Sequence, residues 1–338
     1  MANPLVSFCV KSYNQKALLK EALHGAFAQT YRPLEIVISD DGSTDGSWEV
    51  ILSARDKFLE KVEHGDVPGD VSVVVNRNEN NLGNLGNWQK ICEIAKGELF
   101  IKADGDDISM PTRTEEVVKA WIADGKKALV VYHGAIKIDG RGREFGEYKK
   151  GMLDYGPAGA VSAYSRKLFD SFGPIEIVDK RAGDDTVYGN RSYILGASPL
   201  WVGRSLAKCR VGSGEHSGIS NYRKFMLCGA VAGLISREQS IIDVKKCKLP
   251  LPESVCIALN KRFEDESKRL RVYVDLWGGE SLSKRLTAYR ILCTEAISPF
   301  QRLICMLLLF PHWISDPILN SMKMSKYFFD RMRYTKSL

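Results

Sequence analysis

The sequence predicts an α/β protein, a mostly parallel sheet flanked by helices, followed by a helical C-terminal extension. Three observations carry this reading. Over the first hundred residues apolar runs alternate with amphipathic repeats as strand, helix, strand, helix, strand, helix, strand, the pattern of a parallel sheet covered on both faces. Two of those strands end in acidic clusters, Asp40-Asp41 and Asp104-Gly105-Asp106-Asp107. Beyond Tyr222 apolar residues recur at helical spacing almost throughout.

In chain order, Pro4 to Val10 is a β-type run, and Asn14 is placed to cap a helix carrying Leu18, Leu19, Ala22, Leu23, Ala26 and Phe27. Leu34 to Ser39 is the second strand, and a helix from about Thr44 to Lys61 follows Asp40-Asp41-Gly42. Val71 to Val75 is a third strand. A loop over Asn76 to Gly86 leads to a helix over about Asn87 to Lys96, with Gly97 at C′. Glu98 to Lys102 reads as a buried strand, and Pro111 opens a helix reaching about Ala123.

Leu129 to Tyr132, Ala135 to Ile138, Ala158 to Tyr164 and Leu200 to Val202 are further strands, with an exposed hairpin from Asp139 to Lys150. A short helix ends near Gly173. Gly183-Asp184-Asp185-Thr186 opens another, with Tyr188, Tyr193, Ile194 and Leu195 inward. Val211 to Ser220 is a Gly/Ser loop, and helices over about 222–240, 252–273 and 282–297 complete the reading. We divide the chain into a domain over 1–243 and a helical, basic region over 244–338.

Composition narrows the function classes. Residues 243–338 carry 17 Lys/Arg against 10 Asp/Glu, while residues 1–242 carry 31 of each, so the whole net charge of +7 lies in the C-terminal third. That is a localised basic surface. Eight cysteines without a CxxC spacing, several of them in apolar runs, read as free buried thiols of a reducing compartment. The N-terminus lacks the pattern of a signal peptide. Leu303 to Phe310, the longest apolar run, is about half of what a spanning helix needs. A cytoplasmic placement follows, with a peripheral position on the inner face of the membrane as its extension.

Three carboxylates within four residues repel one another in an empty site. A divalent cation relieves that conflict, because Mg²⁺ and Mn²⁺ select oxygen ligands. Ligands of open α/β sheets collect at the carboxyl ends of strands. Two acidic strand ends therefore point to a metal and a phosphorylated sugar or nucleotide. The competing reading is turn and helix-cap chemistry, which the same residues also suit.

Several pieces in order resemble the family 2 glycosyltransferases with a GT-A fold, in particular bacterial enzymes that build surface polysaccharides. They are Val6 to Val10 leading to Ser12-Tyr13-Asn14, Gln29-Thr30-Tyr31, Glu35 to Asp45, Asn81-Leu82-Gly83, Ala95 to Glu98, Asp104 to Asp107 and Gly183-Asp184-Asp185. The fit spans about residues 4–220 and is loosest at Gly183-Asp184-Asp185, where the family more often has Glu-Asp. Residues 225–338 match no family pattern.

The resemblance implies an inverting transfer of a sugar from a nucleoside diphosphate donor, UDP or dTDP, to a hydroxyl of a growing saccharide. It implies that Asp107 ligates Mg²⁺ or Mn²⁺, with Asp106 sharing the metal or meeting the ribose and Asp104 beside them. Asp40 would accept from the base, Asp41 would support it near the ribose, and Ser12, Tyr13 and Asn14 would line the same pocket. Asp185 would take the acceptor proton with Asp184 in support, and His216 would sit near the metal or diphosphate. A lipid-linked acceptor would give the basic aromatic segment from Met322 to Tyr334 a use, because such a segment suits an anionic membrane surface.

Two rivals are weaker. A sugar nucleotidyltransferase usually needs a Gly-rich basic phosphate loop near its N-terminus, which Lys11-Ser12-Tyr13-Asn14 is not. A nucleic-acid binder would use the basic region, but charge spread over helices beside an apolar run suits lipid better than nucleic acid.

Overall fold

The computed structural model describes residues 3–148, 159–177, 179, 181, 183–211, 222–278, 281–293, 299–310 and 314–321. His216, the far end of the expected hairpin and the segment from Met322 to Tyr334 lie outside them. The chain forms two compact units, Met1–Val211 with Lys246–Pro250, and Gly212–Lys245 with Leu251–Leu338.

In the first unit the elements run β1 (Val6–Ser12), α1 (Lys16–Phe27), β2 (Leu34–Asp40), α2 (Ser47–Glu63), β3 (Val71–Arg77), α3 (Gly83–Ile94) and β4 (Leu99–Asp104). Then come β5 (Ile108–Ser109), α4 (Arg113–Ala123), β6 (Val130–Ile138), β7 (Glu144–Tyr148), a 3₁₀ turn (Gly159–Val161), β8 (Ser162–Ser165), α5 (Arg166–Phe172), α6 (Asp184–Ile194) and β9 (Leu200–Arg210). One sheet takes them in the order β3-β2-β1-β4-β8-β6-β9-β5, with β7 on β6. The first four strands are parallel, β8 is antiparallel to both neighbours, and β9 is parallel to β6. The α/β reading with flanking helices holds, with a mixed half added to the parallel one.

β1 and β2 are buried along their whole length. Both faces of a parallel strand are covered by crossover helices, so such strands read as continuous apolar runs. The core beneath them gathers Val6, Phe8, Val10, Ile36, Ile38, Leu99 and Ile101 with Leu19 and Leu23 of α1 and Val117, Val118 and Trp121 of α4. Register decides what the carboxyl edge displays. Ser12 is level with Asp40, Lys11 with Asp104, and Asp40 with Arg77.

Local expectations depart from the structure where a distant partner acts. α3 starts at Gly83, inside the expected loop, because the Asp41 carboxylate accepts hydrogen bonds from the N–H groups of Leu82 and Gly83 at 2.9 Å each. Residues 130–138 form one strand, not two, with an irregular register at His133 and Gly134. β9 runs eight residues past Val202, with Arg204 exposed and Lys208 half-buried among its inward residues, which hides the strand pattern. Gly159–Val161 is a 3₁₀ turn where a strand is expected.

Asn14 does not cap α1; its side-chain oxygen accepts from the Thr44 N–H. α4 starts at Arg113, with Thr112 at its N-cap, so Pro111 precedes the helix. Tyr193 is 48% exposed, because α6 turns Val187, Tyr188, Arg191 and Ile194 inward instead. Gly97 is not a left-handed C′ residue. A Cβ there would lie 2.4 Å from the Ser7 nitrogen and 2.7 Å from its Oγ, and the Gly97 N–H donates to that Oγ at 2.8 Å. Gly97→Ala is expected to destabilise the fold by about 1–3 kcal/mol through overpacking, read as a lower urea midpoint at unchanged m-value.

The second unit is helical, with α7 (Tyr222–Lys246), α8 (Glu253–Gly278), α9 (Leu282–Cys293) and α10 (Pro299–Leu307). Residue 243 lies inside the continuous α7, and the first division of the chain falls after β9. Leu276, Trp277, Ala288, Leu292, Ile304, Cys305, Leu308 and Leu319 form this unit's core. Among the described residues no helix is long and apolar enough to cross a membrane.

Candidate active site

Three acidic residues, Asp104, Asp184 and Asp185, and two lysines meet around the carboxyl ends of β1 and β4. Lys102 ends the apolar run of β4 with its side chain 1% exposed, and its Nζ lies 2.6 Å from both Asp184 and Asp185. Lys11, from β1, sits 3.2 Å from Asp104 and 3.2 Å from Asp184. Asn84, in the first turn of α3, donates to Asp184 at 3.3 Å and accepts from Lys11. The aliphatic stem of Lys102 runs past Trp88, its Nζ 5.9 Å from the ring centre. Trp88, Tyr164 and Tyr188 form an aromatic wall with ring centres 5.1–6.2 Å apart.

Asp184 and Asp185 open α6 side by side, yet their environments push them apart. Burial opposes the ionisation of Asp184, but Lys102 and Lys11 outweigh it and hold the carboxyl well below the usual range. Asp185 goes the other way. Burial raises it and the Asp184 charge adds to the rise, against the pull of Lys102, so it stands at about 7. Burial also works against the Lys102 ammonium, but Asp184, Asp185 and Asp104 keep it charged, its pKa well above normal. Asp184 is fully buried, whereas the Asp185 side chain keeps 24% of its surface exposed. Two carboxylates with separated pKa values divide into an anchor and a proton acceptor.

The Asp104-Gly105-Asp106-Asp107 turn follows. A Cβ on Gly105 would lie 2.5 Å from the Gln15 side chain and 2.9 Å from the Lys11 carbonyl, so the turn presses against the end of β1. Asp104 faces Lys11. Asp107 accepts the Arg210 N–H at 2.6 Å, and the Arg210 guanidinium donates to the Asp106 carbonyl at 3.0 Å and to Glu21 at 3.0 Å. Burial, then Asp106 and Asp104, push the Asp107 carboxyl well above its usual range. A carboxylate so opposed is what a cation would stabilise, and all-oxygen donors match Mg²⁺ or Mn²⁺. Among the described residues no group of three or more ligating side chains converges. The residues fit an ion held by one or two carboxylates and completed by substrate phosphates and water.

The nucleotide candidates divide. Ser12 has a buried Oγ with no hydrogen-bond partner among the described residues, and Tyr13 beside it is half-buried. Asp40 is fully buried and accepts from the Ser43 N–H at 3.0 Å and Oγ at 2.5 Å. Asp41 holds the start of α3 and accepts from Asn78 at 2.8 Å. Turn and cap chemistry is thus present at both, though the helix capped is α3, not α2. Asp41→Ala takes the acceptor from the Leu82 N–H and leaves the Gly83 N–H to Asn81 and the Asn78 amide to Asn87, and about 1 kcal/mol of stability is expected to be lost, measurable by urea denaturation.

Lys11, Lys102, Asn84 and Arg210 had no role assigned from sequence. The lysines had a legible signal, since each ends an otherwise apolar strand, and such a lysine needs a buried partner.

A parallel half-sheet with acids on its carboxyl edge, completed by a mixed half and flanked by helices, is the fold of the GT-A glycosyltransferases. Solved structures agree in fold. The mannosyltransferase PcManGT from Pyrobaculum calidifontis, in complex with GDP-Man and Mn²⁺, superposes with TM-score 0.55 at 18% identity over 98% of this chain and 89% of that one. TarS 1–349 of S. aureus, in complex with UDP-GlcNAc, gives 0.56 at 14% identity over 95% and 91%.

The family model for glycosyl transferase family 2 matches residues 7–170, just under half of the chain, and that region carries the family's pattern. A glycosyltransferase of Rickettsia typhi is 29% identical over 137 residues, 40% of this chain and 38% of that protein. The Escherichia coli protein WfaP, a UDP-Glc:alpha-D-GlcNAc-diphosphoundecaprenol beta-1,3-glucosyltransferase, is 29% identical over 109 residues, 32% of this chain and 38% of that one. The match covers about two fifths of these relatives' length.

Proposed function

We propose that the chain is a metal-assisted inverting glycosyltransferase. It moves a sugar from a UDP- or dTDP-sugar to a hydroxyl of a growing saccharide for surface polysaccharide, the acceptor being lipid-linked. The observation that carries this is the Lys102-clamped pair, with a part-exposed Asp185 poised near neutral pH beside the Asp104–Asp107 turn. Asp185 takes the proton of the acceptor hydroxyl as its oxygen attacks the anomeric carbon. Asp184 stays ionised and holds Lys102 in place.

Asp107, with Asp106, would hold the metal, which when bound neutralises charge on the departing diphosphate. Tyr13, half-buried, offers a pocket edge for the nucleotide, with the Ser12 Oγ buried behind it. Residues up to the end of β9 carry the chemistry in this reading, and the helices beyond serve positioning. Support for the lipid-linked acceptor comes from the name of the E. coli relative. Exposed Leu303, Met306 and Phe310 at α10 and just after it support placement at a membrane surface on its cytoplasmic side.

The test is a panel of UDP-, dTDP- and GDP-sugars with Mn²⁺, scored for release of nucleoside diphosphate. Release is expected from a UDP- or dTDP-sugar and to fall when EDTA is added. Absence of release from every donor, with saccharide acceptors present, overturns the reading.

A further inference from the structure

α1 and α2 lie on one face of the sheet, because both crossovers β1-α1-β2 and β2-α2-β3 step in the same direction across it. Between them runs a groove of about 760 Å³, within the size range of small-molecule sites. Its floor is apolar. Phe27 and Phe58 stack there with ring centres 4.4 Å apart, beside Leu23, Val50 and Ala54. Lys16, Lys20 and His24 line one wall at i, i+4 and i+8 of α1, and Lys57 and Lys61 the other at i, i+4 of α2. Glu49 is the one acid in the lining. All four lysines are exposed, and none is seen in an ion pair with another of the described residues.

Like charges at i, i+4 weaken a helix, so the Lys16–Lys20 pair at one end of the groove, beside Gly46, and the Lys57–Lys61 pair at the other, beyond the Phe27–Phe58 stack, are a cost to the free protein. Lysine stems beside an apolar floor, with ammonium heads at the rim, complement one chemistry above others: an anionic head carried on hydrocarbon. Phosphate of a nucleic acid would use the rim and leave the floor wet. Both helices begin at the carboxyl edge of the sheet, so the Lys16 end of the groove opens on the side where the acidic residues gather.

We propose that the groove between α1 and α2 docks the head group and upper chain of an anionic phospholipid in a bilayer, anchoring the first unit. This goes beyond the transfer reading and does not depend on it. Full-chain protein would be co-sedimented with vesicles of phosphatidylcholine alone and of phosphatidylcholine mixed with phosphatidylglycerol. Binding is expected only to the mixed vesicles. Each basic residue near such a surface is worth about fivefold in affinity, so the K20Q/K57Q double variant should bind about 25-fold more weakly. A control pair on and just after α4, K119Q/K127Q, should change binding by less than about twofold.

Wild-type binding by K20Q/K57Q assigns the membrane contact to other residues and overturns the proposal. So does an equal loss in the control pair, or absence of binding to mixed vesicles. Displacement by inorganic phosphate beyond that by chloride at equal ionic strength would assign the lysines to a soluble anion, and also overturns it. Sugar-nucleotide turnover without vesicles is expected to be unchanged in K20Q/K57Q, which keeps this outcome separate from that of the transfer test.

Discussion

Asp185→Asn is expected to lower turnover by about 10²–10⁴-fold, the range of a lost general base, while nucleotide affinity stays within about twofold. The amide keeps the shape of the side chain, and Asp184 remains to hold Lys102, so the fold should survive the change. The pH profile supplies a second reading. With Asp185 at about 7, wild-type turnover should rise with pH through that value as the carboxyl loses its proton. Two units below it, about one molecule in a hundred carries the base form. The residual rate of the Asn variant should lack that limb. Equal rates for variant and wild type would remove Asp185 from the chemistry. A larger loss in Asp184→Asn, with the limb intact in Asp185→Asn, would exchange the two roles.

Lys102→Met should cost about 3–5 kcal/mol of stability, because it strands the fully buried Asp184 carboxylate with a single remaining ammonium, Lys11. Methionine keeps an unbranched apolar stem of nearly the same length, so the loss reports charge more than volume. Restoring neutrality with Lys102→Met and Asp184→Asn together should recover part of it, since removing both partners avoids the lone buried charge. Stability against pH carries a sign. Asp184 is depressed in the folded state, so its contribution is in place above its unfolded value, about 4, and drains away as pH falls below it. Denaturant titration of the three proteins at neutral and acid pH reads both effects, and a Lys102→Met midpoint equal to wild type would dissolve the clamp. In refolded variant that retains activity, loss of the ammonium should also move the rising limb of the pH profile to higher pH.

Much of the site was written in the chain. The acidic strand ends, the Gly183-Asp184-Asp185 helix start and the strand–helix alternation are local signals, and local signals survive in one dimension. Partner choice does not. Asp41 and the start of α3 are about forty residues apart, and nothing near Gly83 announces that a carboxylate will cap it. Gly97 looked like a helix terminator, but the constraint on it is contact with Ser7 across the sheet. The inner strand β9 was legible for three residues only, since its polar positions answer to neighbours that only the folded sheet supplies.

The sequence alone determined the fold class, the parallel half-sheet and the identity of the carboxylates gathered at its edge, because periodicity and strand-end chemistry depend on residues close in the chain. Tertiary structure decided which carboxylate is held ionised and which is raised. Asp184 and Asp185 are chemically alike and adjacent. Only the approach of Lys102 and Lys11 from β4 and β1, at 2.6–3.2 Å and away from water, separates an anchor from a base.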